Sequence, residues 1–153
     1  MRQLKLLAVF ALLGFTFLSA CSSPSSSPAS PTYSMKATIG STTMNATSCI
    51  AALVGTNLGI TGSTVTGSVG GPPQINISIY GWSGAAGTTS LIAPGSTGAF
   101  AEYVPTVGAL TSVSQSGSVT ISAVSSTTIS GTFNFTCSDG KVITAGTFTA
   151  KRY

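Results

Sequence analysis

Apolar and polar residues alternate with a period of two through Gln74-Ile75-Asn76-Ile77-Ser78-Ile79-Tyr80, the pattern of a strand with one buried face. Ser118-Val119-Thr120-Ile121-Ser122-Ala123 repeats it, and so does Ile129-Ser130-Gly131-Thr132-Phe133-Asn134-Phe135-Thr136-Cys137. Within that last run Gly131 marks a bulge or a close approach. Ser138-Asp139-Gly140-Lys141 then forms a tight Asp-Gly turn, and Val142 to Ala150 returns as its partner, the strongest hairpin signal in the chain. Fainter alternation predicts strands at Ser34–Ile39, Thr42–Thr47, Cys49–Val54, Ser63–Ser68 and Ala99–Val104, between short loops rich in Gly, Pro and Ser. Cys49 to Leu58 is also compatible with a short helix; elsewhere the body shows no helical period with caps. Eight to ten short strands at this spacing predict an all-β domain, an antiparallel β-sandwich or a squat barrel. A membrane-spanning barrel fits less well, because its strands run to about 10 residues with an apolar outer band.

The pattern changes completely before residue 33. Arg2 and Lys5 precede an apolar run from Leu6 to Leu18, 13 residues long. That suits a secretory signal and falls short of the ~20 residues that span a bilayer as a helix. The run closes on Leu18-Ser19-Ala20-Cys21, which resembles at all four positions the lipobox of bacterial lipoproteins. The resemblance implies a signal peptide over residues 1–20, cleavage before Cys21, and acylation of Cys21. Two or three chains on one residue anchor a protein stably where a single chain does so only marginally. From Ser22 to Thr32 the chain is Ser, Pro and Ala with a closing Thr. So little apolar surface cannot offset the entropy of ordering, and residues 22–32 read as a disordered, Pro-stiffened spacer. Residues 33–153 remain as one all-β domain, long enough to build its own core. No acidic residue closely follows Cys21, which leaves open whether the domain faces the periplasm or the cell surface.

Charge narrows the possibilities further. The whole chain has 5% charged residues, against about 25% in an average protein. Beyond the signal, four cations (Lys36, Lys141, Lys151, Arg152) face two carboxylates (Glu102, Asp139), for a net charge of +2. This is no nucleic-acid footprint, which needs a clustered basic face.

A second resemblance spans nearly the whole body. Met35-Lys36-Ala37-Thr38-Ile39-Gly40 with Thr43-Met44-Asn45-Ala46 looks like the opening of a group of small Bacteroidetes lipoproteins of unknown function. Gly87-Thr88-Thr89-Ser90-Leu91, Ala101-Glu102-Tyr103 and Gly117-Ser118-Val119-Thr120-Ile121 agree with it. So do Ile129 to Phe135 and Ile143-Thr144-Ala145-Gly146-Thr147-Phe148. Met44 stands where that group carries tryptophan, and Thr89 where it carries tyrosine. The resemblance implies a β-sandwich-like domain and brings no activity with it.

Candidate chemistry is sparse. With Cys21 acylated, Cys49 and Cys137 form an even pair in an exported protein, and a disulfide between them is expected. Two separate buried thiols are the alternative. There is no histidine and no short Cys spacing, so no metal site or cofactor is expected. A catalytic carboxylate pair would have to join Glu102 and Asp139, yet Asp139 is accounted for by its turn and Glu102 by a solvated strand. A serine nucleophile lacks its histidine base, and the glycine-rich stretches lack the Lys and helix of a phosphate loop. The reading is therefore not an enzyme. The sequons at Asn45, Asn76 and Asn134 read as polar strand positions in a bacterial chain.

Tyr80-Gly81-Trp82 places the sole tryptophan among glycines at a strand end. An exposed Trp82 beside Tyr80, with Tyr103 joining, would stack on sugar faces; a buried Trp82 would cover the core. The expectation is an outer-membrane lipoprotein whose partners are the membrane, through Cys21, and a glycan or protein ligand. The alternative is a purely structural envelope component with no small ligand.

Overall fold

The computed structural model describes residues 32–65, 71–95 and 97–153. The signal segment, Cys21 and most of the spacer lie outside the described residues. Among the described residues there are ten strands: β1 (Ser34–Ile39), β2 (Thr42–Ala46), β3 (Ser48–Val54), β4 (Asn57–Ser63), β5 (Gln74–Ile79), β6 (Gly87–Ile92), β7 (Ala99–Val104), β8 (Ser112–Val124), β9 (Thr128–Cys137) and β10 (Val142–Arg152). Their ladders form one sheet in the order β2-β1-β10-β3-β4-β5-β7-β6-β8-β9. Additional ladders join β9 to β10 and β7 to β8, so the strands β10-β3-β4-β5-β7-β8-β9 form a closed circuit. The expected all-β class holds, and of its two architectures the circuit is the barrel, which leaves no unpaired edge around its main wall.

Two long strands make the closure. β10 pairs with β9 along one side, and on the other it pairs first with β1 and then, through Lys151 and Arg152, with β3. β8 likewise keeps β9 on one side while its other side passes from β7 to β6. Each long strand carries register shifts, between Ile143 and Gly146 in β10 and at Ser114/Ser116 and Ile121/Ala123 in β8. Such bulges bend and twist a strand enough to turn a corner.

The period-two pattern sets the faces. Ile75, Ile77 and Ile79 of β5 point inward, as do Ile129, Phe133, Phe135 and Cys137 of β9. They meet Met35, Leu58, Ile60, Leu91, Val119, Ile121, Ile143 and Phe148 in a single core. The stretch Cys49–Leu58 is a hairpin rather than a helix, with Leu53 opposite Leu58 and a turn at Gly55. The strand after it is Asn57–Ser63, earlier than the expected Ser63–Ser68, whose last residues lie outside the described ones. Gly59 and Gly62 dilute the alternation there, but Leu58 and Ile60 still face the core.

Candidate functional site

Trp82 sits at the end of the barrel where the β3–β4 turn and the loop after β5 meet. Its backbone N–H donates to the Thr56 carbonyl at 2.8 Å, and its indole Nε1–H donates to the Ala85 carbonyl at 3.0 Å. With 9% of its surface exposed, the ring belongs to the core and plugs this mouth. The Arg152 guanidinium lies 6.0 Å from the ring centroid. Residues 80–83 and 85–89, with Ile79 and Ile121, border a cavity of about 280 Å³ at the plug.

The three aromatic residues expected to act together are not brought together. Tyr80 is 46% exposed and lies against Phe100, ring centroids 6.0 Å apart and 28° between planes. Phe100 alternates with the inward Ala99 and Ala101, so this pair stands on the outer wall. Tyr103 is half-buried against the core three residues beyond Phe100 on β7, opposite Ile75 and Ser112. It belongs to the far end of the barrel. The sequence shows that Tyr80 and Trp82 flank a glycine, but not that the chain turns between them and sends one ring out and the other in.

Cys49 and Cys137 are free, buried thiols, and the expected disulfide is absent from the structure. Topology gives the reason. Cys49 lies on β3, level through β10 with Ile129 of β9, and Cys137 is eight residues farther along that strand. Eight residues are about 26 Å of extended chain, whereas a disulfide needs its Cα atoms within about 7 Å. The inward parity expected for Cys137 is observed. Burial pushes the Cys49 thiol up to about 12. Burial, with the nearby Asp139 charge, pushes Cys137 to about 11 despite the opposing Lys141.

Glu102 and Asp139 occupy separate environments. Asp139 caps its own turn: it accepts from the Lys141 ammonium, from Ser112 Oγ at 2.7 Å and from the Lys141 N–H at 3.2 Å. These bonds hold its carboxyl down at about 2. Ser112 faces inward, whereas Glu102 faces the outer wall and accepts from Asn76 Nδ2 at 3.5 Å. Asn76 Oδ1 in turn accepts from Thr61 Oγ1 at 3.1 Å and Gln74 Nε2 at 2.6 Å. Among the described residues the one ion pair is Lys141–Asp139, so Glu102 has no cation beside it. No cluster of three metal-ligating side chains occurs among those residues.

Sequence reasoning passed over this outer row. Thr61, Asn76 and Glu102 are far apart along the chain and become lateral neighbours only through the β4–β5 and β5–β7 registers. Comparison with known protein families, curated proteins and solved structures finds no match to this chain.

Proposed function

We propose that this protein is a bacterial outer-membrane lipoprotein, anchored through acylated Cys21 and spaced by residues 22–32, whose barrel is a non-catalytic binding module of the cell envelope. The observation that carries the proposal is Leu18-Ser19-Ala20-Cys21 at the end of a 13-residue apolar run behind Arg2 and Lys5. A binding role rather than catalysis is supported by the two carboxylates, which are engaged by different partners, Glu102 by Asn76 on the outer wall and Asp139 by Ser112 and Lys141 at the turn after β9. The test is metabolic labelling with an alkyne analogue of palmitate, followed by membrane fractionation, for the wild-type chain and Cys21→Ser. Label and membrane association in the wild type, both lost in the variant, are expected. An unlabelled, soluble wild-type protein would overturn the anchor.

One observation favours the rival reading, a structural component without a small ligand. The Trp82 ring is shielded and its N–H is satisfied within its own loop, so it offers no open face for a sugar. On either reading its fluorescence should resist acrylamide quenching in the folded protein.

A further inference from the structure

The outer wall of β4, β5 and β7 carries an aromatic platform next to a prearranged polar row. Phe100 and Glu102 are two residues apart on β7 and point to the same side, about 7 Å apart along the strand. Tyr80 leans on Phe100 from the end of β5. Across the ladders from Phe100 stand Ser78 and then Gly59, which leave the flank of the ring uncrowded. Across from Glu102 stand Asn76 and then Thr61, joined by the hydrogen bonds described above. The network fixes the Asn76 amide: its oxygen takes two donors and its nitrogen is directed at Glu102. It leaves Glu102 a half-exposed carboxylate with no cation, in a domain that has only one other acidic side chain.

We infer that this wall, and not the Trp82 loop, is a glycan-binding face that takes neutral pyranose polymers: a pyranose ring stacks on Tyr80 and Phe100 while its hydroxyls donate to Glu102 and bond to Asn76 and Thr61. The chemistry matches in both halves. The C–H face of a pyranose is apolar and lies well on an aromatic ring, whose amphipathic body suits a half-wet surface. Vicinal hydroxyls are donors, and an ionised carboxylate is an acceptor with two oxygens and roughly twice the hydrogen-bond strength of a neutral partner. Positioning costs little, because neighbouring side chains already hold Asn76 and Glu102.

The inference rests on the proposed binding role but not on the anchor. Its test uses the unlipidated chain 22–153, which keeps every strand and core residue of the barrel. Affinity electrophoresis through gels containing soluble β-glucan, mannan, galactan or xylan should retard the wild-type protein in at least one. Tyr80→Ala and Glu102→Gln should each weaken that retention about tenfold, and Asn134→Ala, on the outer wall of β9, should leave it unchanged. Circular dichroism and a cooperative melt establish that each variant is folded. If Tyr80→Ala fails to fold, Glu102→Gln carries the test, because it keeps size and shape on an exposed wall. A folded wild-type protein retarded by none of the four polymers would overturn the inference, as would retention that both variants preserve. Neither result depends on palmitate labelling, so failure of the anchor and failure of the glycan face are separate outcomes.

Discussion

Gly131 on β9 lies directly opposite Phe148 on β10, and the phenyl ring occupies the space that a side chain at 131 would need. A Cβ at Gly131 would come within 2.7 Å of Phe148 Cζ and closer still to the Thr120 carbonyl oxygen of β8. The relationship is reciprocated one step along the ladder, where Gly146 faces Phe133 and its Cβ would come within 2.6 Å of Cε2. Gly117 on β8, opposite Phe135 on β9, is closed off by backbone instead: a Cβ there would meet the Asn134 carbonyl oxygen and lie 2.6 Å from Phe135 Cα, and its φ of 146° favours glycine. The rings of Phe133 and Phe148 are 6.3 Å apart and those of Phe133 and Phe135 6.2 Å apart. Gly131 and Gly146 thus make room for the rings of Phe148 and Phe133, which with Phe135 fill this side of the barrel.

Gly131→Ala and Gly146→Ala are expected to destabilise the domain by about 1–3 kcal/mol each, the usual cost of overpacking a filled core. Gly59→Ala is the contrast. A Cβ there meets only the Ala52 carbonyl oxygen at 3.9 Å, so the change should be neutral or stabilise by up to about 1 kcal/mol through the unfolded chain. Urea unfolding of the three variants measures the difference. A Gly131→Ala midpoint equal to that of the wild type would remove the ring-over-glycine account.

Much of this fold is legible in the sequence where polar and apolar residues alternate without interruption. β1, β7, β9 and the start of β10 fall where the pattern places them, and Gly131 proves to be a close approach, as its place in a strand suggests. β4 is displaced because two of its seven residues are glycine, one of them, Gly62, lying beneath Met35. β8 extends well beyond the alternating stretch Ser118–Ala123, because two bulges shift its parity and break the period. The candidate site was less legible. Membership of a face follows from period two, but neighbours across a face follow from register, which turns and bulges set. The Thr61–Asn76–Glu102 row and the separation of Cys49 from Cys137 both depend on register.

Ser114 shows how the β8 bulge is tolerated. It is fully buried, yet its hydroxyl accepts from the Ala101 N–H at 2.9 Å and donates to the Ile92 carbonyl at 2.8 Å. Those groups lie where β8 passes from β7 to β6. Ser114→Ala would leave a buried donor and a buried acceptor unsatisfied, which costs about 1–3 kcal/mol. The expected readout is a lower urea midpoint together with faster hydrogen exchange of the Ala101 amide; exchange unchanged at Ala101 would show that other groups hold that corner.

Ala145 has φ 49°, inside the β10 register shift between Ile143 and Gly146. A left-handed conformation costs an L-residue about 1–2 kcal/mol, and glycine avoids that cost while losing about 0.5–1 kcal/mol more chain entropy. Ala145→Gly should therefore stabilise the domain by about 0.5–1 kcal/mol. A lower melting temperature in the variant would show that the methyl group makes a contact worth more than the strain.

The ionisable groups set both limits of the pH range. The Lys141 ammonium, then Ser112 and the Lys141 N–H, hold Asp139 at about 2, below its ordinary 3.8. A depressed carboxyl contributes stability above its unfolded value, and that contribution is lost as the pH falls from about 4 toward 2. The thiols act in the opposite sense. Cys49, raised by burial from 9.0 to about 12, and Cys137, raised to about 11, favour folding while they are neutral. Their contribution is complete below about pH 9 and declines as the unfolded chain ionises between pH 9 and 12. Urea midpoints measured from pH 2 to 11 should form a plateau that falls at both ends. Asp139→Asn should flatten the acid limb, and Cys49→Ala the alkaline limb. At pH 8 both thiols should ignore Ellman's reagent until the chain unfolds. Rapid labelling of the folded protein would mean that the barrel opens at Cys49 or Cys137, and the alkaline limb would then need another cause.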